Sequence, residues 1–224
     1  MSLSSIFHVI VIADRLIVAQ LKTRYQYRIY PTDQQRRLLA QLFGCVRIVY
    51  NDSLALCRYG RVVKTSALQK VFITLAKKTE ARSWLSNVSA IPLQQSIADL
   101  GIAYKNFFAR LKSGRKAGYP KFKKRSNQQS ARFTRGGFSI KRGKVYLAKV
   151  GLLSTKWSRE LPSEPSSVTV IKDCANRYFL SFVVEIEPIS KPVLRESIGA
   201  DLGISIFAAL STSEKVYSPD YSCL

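Results

Sequence analysis

The chain has 224 residues, with 36 Lys and Arg against 14 Asp and Glu and a formal net charge of +22. Its 46% hydrophobic content supplies a core for one large or two small domains, which excludes a disordered basic tail. So large a positive excess opposes compaction unless a polyanion offsets it, which makes nucleic acid the first partner to consider. The charge is also uneven, since Gly101 to Arg159 holds 17 Lys or Arg and no Asp or Glu. Cys45, Cys57, Cys174 and Cys223 form no Cys-x-x-Cys pair and His8 is the only histidine, so no zinc site is expected. The thiols read as reduced and mostly buried, in a cytoplasmic protein with no membrane partner.

Residues 1–21 read as an N-terminal extension, an extra strand or a non-native segment. Ile6 to Ala13 is too short to span a membrane, Asp14 and Arg15 interrupt it, and no basic run precedes it. From Lys22, Tyr25, Tyr27 and Ile29 alternate with Arg24, Gln26 and Arg28, the period of a half-buried strand with a basic outer face. Pro31 ends it, and Thr32 followed by Gln35 is a capping-box pattern. Leu38, Leu42, Val46, Val49 and Leu56 then recur at helical steps to Gly60, a C-cap, with Gly44 as a point of close helix contact. Arg36, Arg37, Arg47 and Arg58 decorate this helix, for solubility or for phosphate contact.

A second helix is expected from Ser66 to Lys78 with Leu68, Phe72 and Leu75 inward, followed by Trp84, Leu85 and Val88 as anchors in a connecting turn. A third runs from about Pro92 to Lys112, with Leu93, Ile97, Leu100, Tyr104, Phe107, Phe108 and Leu111 facing the core. Ser113 to Arg125 is a turn-rich basic loop with Tyr119 and Phe122 between its cations, a pairing suited to phosphates and stacked bases. From Ala131 to Glu187 short alternating runs between Gly, Pro and Asn turns predict an antiparallel sheet or small barrel of a kind that binds oligonucleotides. Pro188 to Glu196 reads as a linker. Ile198 to Ile204 reads as a short buried strand carrying one carboxylate, Asp201, and Phe207–Leu210 with Lys215–Tyr217 continues it as a meander. Tyr221 to Leu224 reads as a tail.

These stretches resemble the TnpB (OrfB) family of insertion-sequence transposases, which are related to the type V CRISPR effectors. The resemblance rests on Tyr27-Arg28-Ile29-Tyr30-Pro31-Thr32, Phe43-Gly44-Cys45-Val46-Arg47 with Tyr50-Asn51, and Leu93-Gln94-Gln95. It continues through Tyr104-Lys105-Asn106-Phe107-Phe108 and Gly118-Tyr119-Pro120-Lys121-Phe122-Lys123 to Gly199-Ala200-Asp201-Leu202-Gly203. It implies an α+β chain in which a helical recognition insert splits a β-rich, oligonucleotide-binding-like wedge, followed by the first strands of a truncated RNase-H or RuvC-like nuclease domain. The expected segments are the extension at 1–21, a first wedge segment at 22–36 running into a helix-turn-helix region (22–65), and a helical region at 37–112. A basic loop at 113–130, β-rich wedge at 131–190 and nuclease segment at 191–224 follow. One long helix after the first strand is the more natural reading of the helix-turn-helix region.

The resemblance implies guidance by a transposon-encoded RNA and cutting of DNA, with DNA and that guide RNA as partners. Arg28, Arg47, Lys105, Arg115, Lys116, Tyr119, Lys121, Phe122, Lys123, Lys124 and Arg125 are the candidate nucleic-acid contacts. Asp201 takes the place of the first catalytic, Mg²⁺-binding carboxylate. Two hard cations need several oxygen ligands, and only Glu214 and Asp220 follow Asp201. The expectation is a truncated transposase that binds nucleic acid without cutting by itself and lacks the family's zinc ribbon. The alternatives are a stand-alone regulator of its element, or a Mg²⁺-dependent endonuclease completed by a second polypeptide.

Overall fold

The computed structural model describes residues 21–59, 63–126, 128–187, 199–203 and 206–217. The expectations for the extension before Leu21, the C-cap at Gly60, the linker and the tail lie outside these residues. The chain divides into two compact units, one up to Glu187 and one from Pro188. Both carry strands and the first carries the helices, so the α+β class holds.

In the first unit β1 (Leu21–Ile29) buries Tyr27 and Ile29 and exposes Arg24 and Gln26, as its alternation requires. α1 (Asp33–Tyr59) opens with a reciprocal capping box: Gln35 N–H donates to Thr32 Oγ1 at 3.3 Å, and Thr32 N–H to Gln35 Oε1 at 3.0 Å. Leu39, Leu42, Val46, Val49 and Leu54 form its buried stripe. Leu56 does not belong to it and is exposed, because it lies across the helix from Leu54 and Cys57. Gly44 is not a contact point either, since a Cβ there would meet nothing within 4 Å.

The second helix departs from its expected course. α2 (Thr65–Gln69) widens into a π-helical turn at Lys70–Leu75 and closes through a 3-10 turn at Ala76–Lys78. A π turn advances the inward face by five residues, so Ile73 follows Leu68 into the core and Leu75 is left exposed. A further 3-10 stretch, Glu80–Asn87, delivers Leu85 to the core, with Val88 just beyond it.

α3 (Ala90–Lys112) buries Leu93, Ile97, Leu100 and Tyr104, but its last turns run past the core and leave Phe108 and Leu111 exposed. The close helix approach is at Gly101, where a Cβ would lie 2.7 Å from Thr65 Cγ2. α3 ends in a Schellman motif, with Gly114 at φ +67°, its N–H on Leu111 O and the Arg115 N–H on Arg110 O.

Among the described residues of the first unit, seven further strands join β1: β2 (Gln129–Thr134), β3 (Phe138–Lys141), β4 (Lys144–Leu147), β5 (Gly151–Leu153), β6 (Thr155–Lys156), β7 (Ser167–Lys172) and β8 (Tyr178–Ile186). They form an antiparallel five-stranded sheet in the order β2-β7-β8-β1-β6 and a three-stranded sheet β3-β4-β5. β1 pairs with β8 from Leu21↔Ile186 to Ile29↔Tyr178, so strands from the two ends of the first unit's described residues make the sheet's centre. Trp157 packs against Tyr27 and Phe182 beneath it. Among the described cysteines Cys45 and Cys57 are buried thiols and Cys174 is exposed in the β7–β8 turn, in keeping with thiols that are mostly buried.

In the second unit β9 (Ala200–Leu202), β10 (Ala208–Leu210) and β11 (Lys215–Val216) form an antiparallel meander with Asp201 opposite Ala209. The expectation that Asp201 stands on a buried strand fails: all of β9 is exposed, and Leu202 is 72% exposed. Strands of two or three residues have too little side-chain surface to cover one another. Among the described residues no helix is long and apolar enough to cross a membrane.

Candidate nucleic-acid interface

The basic loop after α3 has no regular secondary structure, yet three side chains fix its course. Asn51 on α1 treats Lys123 as a strand partner, donating Nδ2–H to its carbonyl at 3.0 Å and accepting its N–H at 2.9 Å. Gln129 Nε2 donates to the carbonyls of Lys124 and Arg125, while its Oε1 accepts from Arg47 Nη1 at 3.1 Å. Arg58 donates to Pro120 O and stacks over the rings of Phe122 and Tyr119. Tyr119 in turn meets Phe107 and Tyr104 edge-on. Satisfying the loop's backbone from α1 and β2 leaves the side chains of Arg115, Lys116, Lys121, Lys124 and Arg125 exposed, with Lys105 exposed on α3.

Lys123 differs from its neighbours. It turns inward over the Tyr50 ring, 4.4 Å from the centroid, and its pKa is held below the usual lysine range, by burial first. It faces a cleft lined by Arg24 of β1, Asp99 and Gln95 of α3, Ser130 and Arg132 of β2, and Thr169 of β7. Arg132 makes a charge-assisted hydrogen bond to Asp99. Burial pushes the Asp99 carboxyl up, against the pull of Arg132, Lys123 and Arg24. A second cavity, lined by Arg47, Lys124 and Gln128, adjoins this one and shares Val46, Lys123 and Ser130 with it.

Arg28 and Asp201 are not among the residues lining these cavities. Arg28 is half-buried on β1, its guanidinium 5.0 Å from the Phe179 ring centroid and 5.6 Å from that of Tyr30, with its Nε buried and unpartnered. Asp201 lies in the second unit. A magnesium ion takes several oxygen ligands, and among the described residues no three His, Cys, Asp or Glu side chains come together. Asp201 alone does not make a complete donor set. Asn51 entered the sequence reading only as part of a motif, and Asp99 and Arg132 were not among its candidate contacts. Asp99 had a signal, since it is the last acid before the long acid-free run.

A helix-turn-helix domain of the OrfB type matches residues 21–61. A protein of Streptomyces pristinaespiralis, named as a candidate RNA-guided DNA endonuclease, is 39% identical over 213 residues, covering 92% of this chain and 52% of that protein. The chain belongs to the TnpB/OrfB family. InsQ of Escherichia coli K12, named in the same terms, is 28% identical over 84% of this chain and 46% of its own length. The chain thus spans about half the length of these two relatives. The virulence protein VsdF of Salmonella dublin is 33% identical over 43% of this chain and 88% of its own. The helix-turn-helix match falls on β1 and α1, and α1 runs unbroken from Asp33 to Tyr59, so this TnpB/OrfB chain uses a strand and one long helix there.

Proposed function

We propose that this polypeptide binds nucleic acid as the guide- and DNA-holding part of a TnpB-type protein, and that by itself it does not cut. The observation that carries the reading is the basic loop. Its backbone is pinned by Asn51, Gln129 and Arg58, while Lys121, Lys124 and Arg125 remain exposed for phosphate. The five-stranded sheet with its three-stranded companion serves as the oligonucleotide-binding-like wedge, and α1 to α3 serve as the recognition insert. The second unit is the start of a RuvC-like domain, in which Asp201 would be one Mg²⁺ ligand. The names of the relatives support DNA and guide RNA as partners.

The test compares binding of the element's flanking RNA and labelled DNA across salt concentrations, with a cleavage assay in Mg²⁺ on the same samples. Tight binding whose log K falls steeply with log salt is expected, without cleavage. Weak, salt-independent binding would remove the proposal's support. Cleavage that disappears in Asp201→Ala would replace it with the enzyme reading. One observation favours a nuclease completed by a second polypeptide. Among the described strands, β9 and β11 are free edges to which further strands can add.

A further inference from the structure

A solvated basic surface does not account for the cleft around Asp99. Three cations from three separate elements, Arg24, Lys123 and Arg132, converge on one carboxylate in a cavity of about 220 Å³. Arg132 spends one nitrogen on Asp99, while its Nε is buried with no hydrogen-bond partner. Lys123 has an aromatic face and a partly desolvated ammonium. Lys123 and Arg132 are half-buried, and partly desolvated cations with incomplete compensation carry a cost that an entering anion relieves. The neighbouring cavity, with Arg47 and Lys124, continues the positive lining through shared Lys123 and Ser130. Two adjoining cationic cavities suit a chain of phosphates better than a single small anion.

We propose that this cleft is a binding site for one backbone phosphate of a nucleic-acid strand, with Arg24, Lys123 and Arg132 as its donors and Asp99 as an internal competitor for them. The inference rests on the nucleic-acid-binding reading above and gives that surface a specific address. Three cations against one carboxylate leave the cleft positive, so a phosphodiester is drawn in. Gln95, Ser130 and Thr169 line the same space and supply neutral donors for its oxygens. Asp99 keeps Arg132 aimed when the cleft holds no phosphate and weakens the attraction when one arrives. It thereby sets how readily a strand leaves.

The experiment uses the intact chain carrying His8→Asn, which removes the only histidine, with and without Asp99→Asn. The probe is a rhodamine-labelled single-stranded poly(U) oligonucleotide, read by anisotropy from about pH 7.5 down into the ordinary carboxylate range at about pH 4. The charged or titratable groups facing Asp99 are Arg24 from β1, Arg132 from β2, Lys123 from the loop and Tyr50 from α1, and all are present in both proteins. Removing the carboxylate's charge is expected to tighten binding about five-fold near neutral pH. That advantage should shrink on acidification, as Asp99 in the parent takes up its proton. Equal or weaker binding by a folded Asp99→Asn protein at neutral pH overturns the site. Should that variant lose its fold, the parent's own profile decides, because a flat affinity over the same range overturns it equally. Failure of the parent to bind the oligonucleotide at all would sink the broader reading, whereas binding indifferent to Asp99 would sink this one alone.

Discussion

Asn51 and Lys123 show how a single side chain can organise a loop. The Asn51 amide completes both backbone groups of Lys123, a residue 72 positions away. Asn51→Ala leaves that N–H and C=O without their partner at a cost of about 1–3 kcal/mol. A lower melting temperature is expected, with earlier tryptic cleavage at Lys121 and Lys124 while helical circular dichroism is kept; unchanged cleavage would show that Asn51 does not hold the loop. Asp99 offers a test through pH. Its folded pKa is raised, so the folded state holds the proton to higher pH than the unfolded chain, and this contribution favours folding on the acid side and is lost as pH rises through the folded value. Arg132→Gln removes the main counter-charge. Because both partners are partly exposed, the loss near neutral pH should be about 1–2 kcal/mol. The gap from the parent should narrow on acidification as Asp99 protonates, and a gap independent of pH would count against the ion pair. Composition alone picked out Arg115, Lys116, Lys121, Lys124 and Arg125, since exposed cations need no partner to be recognised. It did not show that Lys123 turns inward, because that depends on Tyr50 and Asn51 of a distant helix.

At the scale of elements, local signals were read well and distant ones poorly. The alternation of β1 and the capping box of α1 are carried by neighbours in sequence, and both were legible. The π turn at Lys70–Leu75 was not, because an apolar run such as Val71, Phe72, Ile73 and Leu75 fits either helical period until its packing partner is known. The same limit explains the two glycines. Gly44 looked like a contact because it lies among buried residues, but the tight approach is set by where α2 crosses α3, at Gly101 against Thr65. Alanine in mid-helix is favoured over glycine by about 1 kcal/mol, yet at Gly101 the new Cβ meets the Thr65 methyl at 2.7 Å. Gly101→Ala is therefore expected to destabilise the protein alone. Combined with Thr65→Ser, which deletes that methyl, it should instead match or exceed the stability of Thr65→Ser itself. Denaturant melts of the four proteins complete the cycle, and additive effects would mean that the two residues do not meet.

For the whole molecule, charge is the property that composition announced first and that the fold then distributes. A formal +22 is self-repulsive. The first unit tolerates it by pairing a few cations with acids, as in Arg82 with Asp52 and Arg132 with Asp99, and by laying others over aromatic rings, as with Arg28, Arg58 and Arg159. The side chains of Lys121, Lys124 and Arg125 remain exposed on the pinned loop. If each meets a phosphate, replacing all three with Ser should lower the slope of log K against log salt by roughly 2 for a single strand, at about 0.7 per contact. Affinity should fall uniformly across oligonucleotide sequences, because phosphate contacts position a strand without reading it. The folded state tells the two roles of this charge apart. Losing exposed repulsion should leave the melting temperature of the free protein unchanged or raised, while the rise in melting temperature that an oligonucleotide confers on the parent should shrink. A variant that melts lower in the free state would place these cations in the architecture of the loop, and an unchanged salt slope would move the phosphate contacts elsewhere on the molecule.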